Sequence, residues 1–293
     1  MLQYSEFVIG GIRVAAITEG YKPEYSLCRD AFVGDRRGCI FENKLEILAN
    51  MAKEETWDFR VDAYKTDSKY PILNNYLFFT YEKLKEEEGK IAISDDGKHM
   101  CFNTGLQTRE REEDIYAYFK ENAIRPESSN QQWKLWKFCE PKDKELSNFG
   151  KLPDIAEYCD EPADLIFDKR LDVRIDYEHI VSENINRFRE IGLTHDETIL
   201  EAIVTRQAIK AIDKVKRNYK VAIPQYYADR NTNKPRIQLL LPLCCRDGKH
   251  ADLALVISKE GQTYIGKTIL HLDWAYMNSR RIVTPDAEWI NEI

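Results

Sequence analysis

The chain has 293 residues, of which 43% are apolar and 32% charged, as expected for a globular protein with one large domain or two small ones. Its net charge of −7 argues against a protein coated in basic surface, but it is compatible with a local basic groove. No apolar run approaches the roughly 18 residues that span a membrane, and the N-terminal segment lacks the basic start of a signal peptide. We therefore expect a cytoplasmic protein without a membrane partner.

Seven cysteines are scattered along the chain, most of them inside apolar runs, which is typical of reduced core thiols. The nearest approach to a metal-binding pattern is Cys244, Cys245 and His250, a cluster without the second half that a four-ligand zinc site requires. We predict no metal site, and the sequence indicates no particular cofactor.

The N-terminal part predicts a short strand over Phe7–Ile17, then two helices and a hairpin. Apolar periodicity favours helices over Phe41–Trp57 and Ile72–Glu87, and the turn at Asp95–Gly97 is a strong hairpin signal. This order is found in winged helix-turn-helix modules, although it is more typical of two core helices beside a sheet edge. Glutamates on the second helix, such as Glu82, would repel phosphates and so disfavour reading of DNA.

The rest of the chain predicts strands, short helical turns and one long helix. Strands are expected over Asp114–Phe119, Trp133–Cys139, Asp164–Asp168 and Leu171–Ile175, helical turns within Asp143–Tyr158 with Pro153 starting the second, and helices over His179–Arg189 and Thr194–Tyr219. Thr194 and Glu197 would cap the long helix. Four extended apolar runs then follow between Arg217 and Ile282.

These patterns predict an α+β fold. A mostly antiparallel C-terminal sheet would pack with the long helix, next to an N-terminal helix–helix–hairpin part that resembles a winged helix. We place the boundary near residue 110, with parts 1–110 and 111–293, or with the two parts continuous as a single domain.

A basic stripe on the long helix is the first candidate for a binding site. Arg206, Lys210, Lys214 and Arg217 lie roughly opposite the apolar stripe, an arrangement whose commonest meaning is a solvated face. Arg217, Asn218 and Lys220 lie where the helix meets the sheet, which favours binding of phosphate.

Two further segments carry hydrogen-bonding groups. In the first, Gln225, Tyr226 and Gln238 could bond to base edges or stack on a base, although half-buried residues of a hairpin would show the same alternation. In the second, the turn Asn103-Thr104-Gly105 could present backbone N–H groups to an anion, and a plain structural turn fits it as well.

The segment 273–281 gathers an acid, a phenol, an amide and two guanidinium groups. On a helix, Asp273, Tyr276 and Arg280 would share one face, and Asn278 and Arg281 an adjacent one. This set could hold a polar ligand or form a buried network. The sequence contains none of the HExxH, GxSxG or GxGxxG motifs, so a general base would be sought at His179 or His271.

Several segments together resemble a family catalogued as domain of unknown function number 3825. They are FNTGL (102–106), IYAYF (115–119), LPDIAEY (152–158), DLIFD (164–168), HIVSENINRF (179–188), RNYKVAIPQYY (217–227), IQLLLPL (237–243), ADLALVI (251–257) and LDWAYMNSRRI (272–282). The resemblance extends over about four fifths of the chain and implies a role in RNA metabolism, which families of this kind have been proposed to have.

We consider three hypotheses for function. The first is an RNA- or nucleotide-associated protein that binds a phosphorylated ligand between the basic helix, the Tyr- and Gln-rich hairpin and the FNTGL turn. The predicted ligand-binding residues are Asn103, Thr104, Gly105, Arg187, Arg217, Asn218, Lys220, Gln225, Tyr226, Gln238, Tyr276, Asn278 and Arg280. The second is an enzyme that processes a nucleotide or RNA end, with Asp273 or His179 handling protons, and the third is a scaffold for protein interactions. The sequence does not indicate an oligomeric state.

Overall fold

The computed structural model describes residues 7–9, 12–14, 27–33, 41–57, 69–123, 130–228, 235–285 and 288–291. By its contacts the chain divides into two compact units. One comprises Tyr4–Glu157, and the other Met1–Gln3 with Tyr158–Ile293. We call them the N-terminal and the C-terminal unit.

In the N-terminal unit, the helices and strands follow the predicted order. They are β1 (Phe7–Ile9), β2 (Ile12–Val14), α1 (Leu27–Asp30), β3 (Ala31–Phe32), α2 (Phe41–Met51), α3 (Pro71–Glu86), β4 (Ile91–Ile93), β5 (His99–Gln107), β6 (Asp114–Glu121) and β7 (Trp133–Cys139). Among the described residues, the main sheet has five strands in the order β3-β7-β6-β5-β4, antiparallel except for β3 beside β7. A separate antiparallel pair is formed by β1 and β2 within the predicted first strand.

The predicted helix–helix–hairpin order is confirmed, and the hairpin is part of a larger sheet. β5 pairs with β4 along one edge and with β6 along the other, so the hairpin is not a separate wing. α3 buries Leu73, Leu77 and Leu84 on one face and contacts β5. The hairpin therefore belongs to the core of this unit, because both edges of β5 are hydrogen-bonded.

The C-terminal unit contains the predicted antiparallel sheet. Its elements are β8 (Asp172–Arg174), α4 (Tyr177–Glu183), α5 (Ile185–Glu190), α6 (Glu197–Arg217), β9 (Ile223–Ala228), β10 (Pro235–Leu243), β11 (Leu253–Glu260), β12 (Thr263–His271), α7 (Leu272–Arg280) and α8 (Glu288–Asn291). Within the described residues, the strand order is β8-β12-β11-β10-β9, antiparallel apart from β8 beside β12. The prediction of an α+β fold with a long helix on this sheet is confirmed.

The two faces of the C-terminal sheet pack against different helices. The apolar stripe of α6, including Leu200, Val204 and Ala208, is buried in one core with Leu239 and Leu241 of β10. Gln238 and Leu240 alternate to the opposite face, which α7 covers. Both faces are therefore buried, and the sheet can present few side chains to solvent.

Several local predictions were wrong, two of them because a side chain forms an unexpected hydrogen bond to the backbone. Asp196, and not Thr194, caps α6 by accepting a hydrogen bond from the N–H of Ile199 at 2.9 Å. The helix predicted over His179–Arg189 is divided at Asn184, whose amide donates to the carbonyl of Ile180 at 2.8 Å. The other differences are a 3₁₀ turn at Pro162–Leu165 in place of a strand, a chain without regular structure after Pro153, and an earlier end to the helix that begins at Phe41.

The predicted boundary near residue 110 falls between two paired strands of one sheet. β5 ends at Gln107 and β6 begins at Asp114, with Gln107 and Asp114 in register. The division into compact units lies instead between Glu157 and Tyr158. That residues 1–110 form a separate part stays a prediction.

Substitution of Gly105 tests how tightly the core of the N-terminal unit is packed. Gly105 has a φ of +73°, and a Cβ there would lie 2.5 Å from the Tyr76 hydroxyl oxygen, so Gly105→Ala combines backbone strain with a steric clash. We expect it to lower the free energy of unfolding by about 3 kcal/mol. Gly97→Ala is the matched control. Gly97 has a φ of +69° with no atom within 4 Å of the added Cβ, so the expected loss is about 1 kcal/mol.

Urea denaturation of both variants and of Gly105→Ala/Tyr76→Phe measures these losses. Removing the Tyr76 hydroxyl should recover part of the loss, since that oxygen is the atom in the clash. Equal losses for Gly97→Ala and Gly105→Ala would show that the contact with Tyr76 relaxes without cost.

Candidate functional site

The predicted site residues are divided between the two units. Asn103, Thr104 and Gly105 belong to the N-terminal unit, and the other predicted residues belong to the C-terminal unit. We therefore describe each group by its own contacts.

The side chains of the FNTGL turn are engaged in bonds within the sheet. The Asn103 amide donates to Asp114 Oδ2 at 2.9 Å, and its Oδ1 accepts from the N–H of Gly105 at 2.9 Å. The Thr104 hydroxyl donates to the carbonyl of Ile115 at 2.6 Å and accepts from the N–H of Leu106 at 3.2 Å. This turn forms an irregularity in the pairing of β5 with β6, and its polar groups stabilise that irregularity.

Arg187 lies in a buried network that ties α5 to β12. Its guanidinium donates to Asn184 Oδ1, to the Thr268 hydroxyl at 3.1 Å and to the carbonyl of Ile269. The centre of the Trp274 ring lies 5.4 Å from the Arg187 guanidinium carbon. With 5% exposure, Arg187 positions these elements and does not present its charge to solvent.

The amide side chains of the predicted hairpin bond to one another beneath α7. Gln225 and Gln238 are in register on β9 and β10, and Gln225 Nε2 donates to Gln238 Oε1 at 2.9 Å. Asn278 of α7 donates to Gln225 Oε1 at 3.3 Å. Ser258 of β11 is in register with Gln238 and is also buried, so the polar row extends across three strands. The sequence analysis named both amides as candidates, and it missed their bond to each other and the packing of α7 over them.

The predicted polar face of α7 is buried. Asp273, Tyr276 and Arg280 have exposures of 3%, 3% and 6%. Arg281 is buried as well, and burial lowers its pKa to about 10, while the phenols of Tyr158 and Tyr226 act in the opposite direction. The Arg281 guanidinium therefore keeps its charge at neutral pH inside the unit.

The predicted proton-handling residues lie in different surroundings. Burial is the main cause that raises the pKa of Asp273 to about 6, with a smaller contribution from Glu190, and Asp273 Oδ1 accepts from the N–H of Trp274 at 2.7 Å. His271 pairs with Glu190, with 2.6 Å between Nε2 and Oε2, and burial lowers the pKa of His271. His179 is exposed on α4 and lies 3.4 Å from Glu183, one turn later.

The exposed side of α6 keeps its cations at the surface, as the basic stripe predicted. Arg206, Lys210, Lys214 and Arg217 are all exposed. The Arg217 guanidinium donates to the carbonyl of Asp213 at 2.7 Å, within its own helix. An open depression on this helix is lined in part by Arg206 and Lys210.

The cations continue beyond the end of α6. Lys216, Asn218 and Lys220 are exposed beside Tyr219, whose side chain has 57% exposure at the start of a 3₁₀ turn, Tyr219–Val221. Asn218 caps this turn by accepting from the N–H of Lys220 at 3.2 Å. Tyr219 was missed as a candidate, although its position between Asn218 and Lys220 was a usable signal. This part of the chain combines exposed charge with an exposed ring.

Among the described residues, Cys244, Cys245 and His250 do not form a group with ligand spacing. Cys245 lies in the core beside α6, and His250 Nδ1 lies 2.6 Å from Asp247 Oδ2. All six cysteines among the described residues are free thiols.

A different group, Cys139, Asp143 and Glu145, has its possible ligand atoms within 4.8 Å of one another. The Lys137 ammonium already lies 2.9 Å from Asp143 and 3.4 Å from Glu145, and burial raises the pKa of Cys139 to about 12. An ion pair between Lys137 and the two carboxylates accounts for this cluster.

A scan against family models matches residues 48–289 to the family described as domain of unknown function (DUF3825). The chain belongs to this family. No curated protein and no solved structure matches the chain significantly. Across the residues that the structure describes, no helix has both the length and the apolar character needed to cross a bilayer.

Replacement of Asp273 tests the buried carboxyl of this DUF3825 member. Its pKa of about 6 in the folded state exceeds the usual value of about 3.9, so the folded state binds the proton more tightly. The protonated Asp273 carboxyl makes its full contribution to stability below about pH 4, and this contribution is lost as the pH rises to about 6. Asp273→Asn should therefore gain roughly 2–3 kcal/mol over the wild type between pH 4 and pH 7.5.

Urea denaturation at several pH values measures this difference. Asp172→Asn, which removes an exposed carboxylate from β8, controls for the change in net charge. If Asp273→Asn follows the wild-type pH profile, Asp273 is not the group responsible.

The amide row predicts non-additive substitutions. Gln225→Leu leaves the buried amide of Gln238 and the half-buried amide of Asn278 without their partner, which costs about 1–3 kcal/mol, and Gln238→Leu acts similarly on Gln225. The double variant should cost about 1 kcal/mol less than the sum of the single variants. A double-mutant cycle of unfolding free energies checks this, and strict additivity would contradict the bond between the two amides.

Proposed function

We propose that this DUF3825 protein is an RNA- or nucleotide-associated protein, and that its C-terminal unit binds single-stranded RNA along the exposed side of α6 and the turn that follows. The observation that carries the proposal is the concentration of charge there. Residues 206–220 contain six cationic side chains, all exposed, against one carboxylate, Asp213. In a chain of net charge −7, such a concentration favours a polyanionic partner.

A structural explanation accounts for part of this charge. Cations in the last turn of a helix interact favourably with its dipole, which suffices for Lys214, Lys216 and Arg217. It does not explain Arg206 and Lys210, which lie more than a turn earlier, because the dipole effect is confined to the last turn.

Tyr219 adds a stacking group to the charged surface. Lys216, Arg217 and Lys220 are close to Tyr219 in sequence and are exposed as well. Bases of any sequence stack on aromatic rings. An exposed ring beside cations is the arrangement that single-stranded RNA requires, with phosphates on the cations and a base on the ring.

Binding is proposed in preference to catalysis because the acidic group with a shifted pKa is buried. Asp273 has the pKa of a general acid or base near neutral pH, yet its side chain has 3% exposure. The amides of Gln225 and Gln238 are also buried and bond to each other. The predicted groove that included these amides is replaced by the α6 surface, because the amides and the basic stripe lie on opposite faces of the sheet.

Neutralisation of the stripe tests the proposal. Lys210→Gln/Lys214→Gln/Arg217→Gln should weaken binding of a labelled 12-nucleotide single-stranded RNA. It should also reduce the slope of log K against log salt by about 2, because each phosphate that the protein no longer neutralises lowers that slope by roughly 0.7. Fluorescence anisotropy from 50 to 200 mM salt measures both quantities.

Matched variants separate charge from stacking. Lys98→Gln/Lys142→Gln/Lys169→Gln removes three exposed cations elsewhere and should leave the slope as in the wild type. Tyr219→Ala should weaken binding about tenfold without changing the slope, and Tyr219→Phe should retain most of the affinity. Equal effects of the two triple variants would refute a specific surface on α6.

A further inference from the structure

The sheet of the N-terminal unit carries an exposed aromatic residue among lysines. The Trp136 side chain on β7 has 45% exposure, and the Lys120 ammonium lies 3.8 Å from the centre of its ring. Lys134, two residues earlier on β7, lies 5.9 Å from the centre of the Phe32 ring. Lys44 of α2 donates to the carbonyl of Trp136.

Trp136 lies at a β-bulge. Tyr118 of β6 is in register with Lys137 and Phe119 with Leu135, so Trp136 is the extra residue on β7. Leu135 is buried, with 3% exposure, while Trp136 is turned outward. Bulges are frequent next to functional sites. The 45% exposure of Trp136 leaves part of its ring accessible to a ligand.

The lysines add a second, independent observation. Lys120 and Lys134 are directly opposite each other on antiparallel strands, and Phe32 is in register with Lys134 on β3. Like charges directly opposite each other destabilise a sheet. Burial lowers the pKa of Lys44, and the positive charge of the nearby Lys134 lowers it further. Lys44 therefore lies close to the same group of cations. Glu121, the next residue on β6, alternates away from this row.

We propose that Trp136, Lys120, Lys134 and Phe32 form a stacking platform for a short stretch of single-stranded nucleic acid. A base stacks on the exposed Trp136 ring, and Lys120 and Lys134 bind the flanking phosphates. A polyanion relieves the repulsion between the opposed lysines, and the ring selects a polyanion that carries flat bases. Lys120 leaves the ring for a phosphate when the base arrives, since an ammonium prefers the stronger anionic partner. These residues are distinct from those on α6, so this platform does not depend on the proposed role of α6.

A local spectroscopic probe tests the platform. The chain has five tryptophans, and the indole N–H signal of Trp136 in a ¹⁵N-labelled sample is assigned by its loss in Trp136→Phe. The titrations use octauridylate, double-stranded RNA of the same length, and heparin as a polyanion without bases. They are carried out in a background of Lys210→Gln/Lys214→Gln/Arg217→Gln/Tyr219→Ala, so that failure of the α6 proposal leaves the result readable.

The expected result is a saturable shift of the Trp136 signal with octauridylate and a much smaller shift with the other two ligands. Trp136→Leu should weaken binding of octauridylate about tenfold, and Trp136→Phe less than threefold, because Phe keeps an aromatic face. Lys120→Gln/Lys134→Gln should weaken binding more than Lys98→Gln/Lys142→Gln, which removes the same charge elsewhere in the unit. An equal response to heparin would overturn the stacking role, and a Trp136 signal that does not move with octauridylate would overturn the platform.

Discussion

Burial of both faces of the C-terminal sheet is the constraint on which the rest of this unit depends. α6 covers one face and α7 the other, so residues that alternate along β10 enter one core or the other. A polar side chain on either face must then find a partner, since a buried group without one is costly. The bonds of Gln225 with Gln238, and of Arg187 with Asn184 and Thr268, meet that requirement. The polar residues of this sheet therefore act first as structural groups.

The same constraint determines which charges stay available to a partner. Cations on the outer side of α6 do not enter the core, and residues 206–220 carry six of them against one carboxylate. Because the chain is acidic overall, this local excess makes the electrostatic potential of the surface uneven, with a positive region along α6. Tyr219 places an aromatic ring at the end of this charged surface.

The N-terminal unit also has an exposed aromatic ring beside cations, but on a strand and not on a helix. Trp136, at a bulge in β7, is exposed beside the opposed pair Lys120 and Lys134. α3 packs on β5 in the same sheet. The match to the DUF3825 model covers residues 48–289, which include the α6 surface and Lys120, Lys134 and Trp136, but not Phe32. The family assignment supplies no chemistry, so the two proposals are carried by the exposure, charge and register of these side chains.

The sequence by itself determined the α+β class, the order of the main strands, and the apolar and basic stripes of α6, because these follow from local periodicity. It could not show that α7 lies over the buried amides of β9 and β10, that Asn103 bonds to Asp114, or that Trp136 occupies a bulge. Only the tertiary structure decided which polar side chains are buried and which face solvent, because burial depends on elements that are distant in the chain.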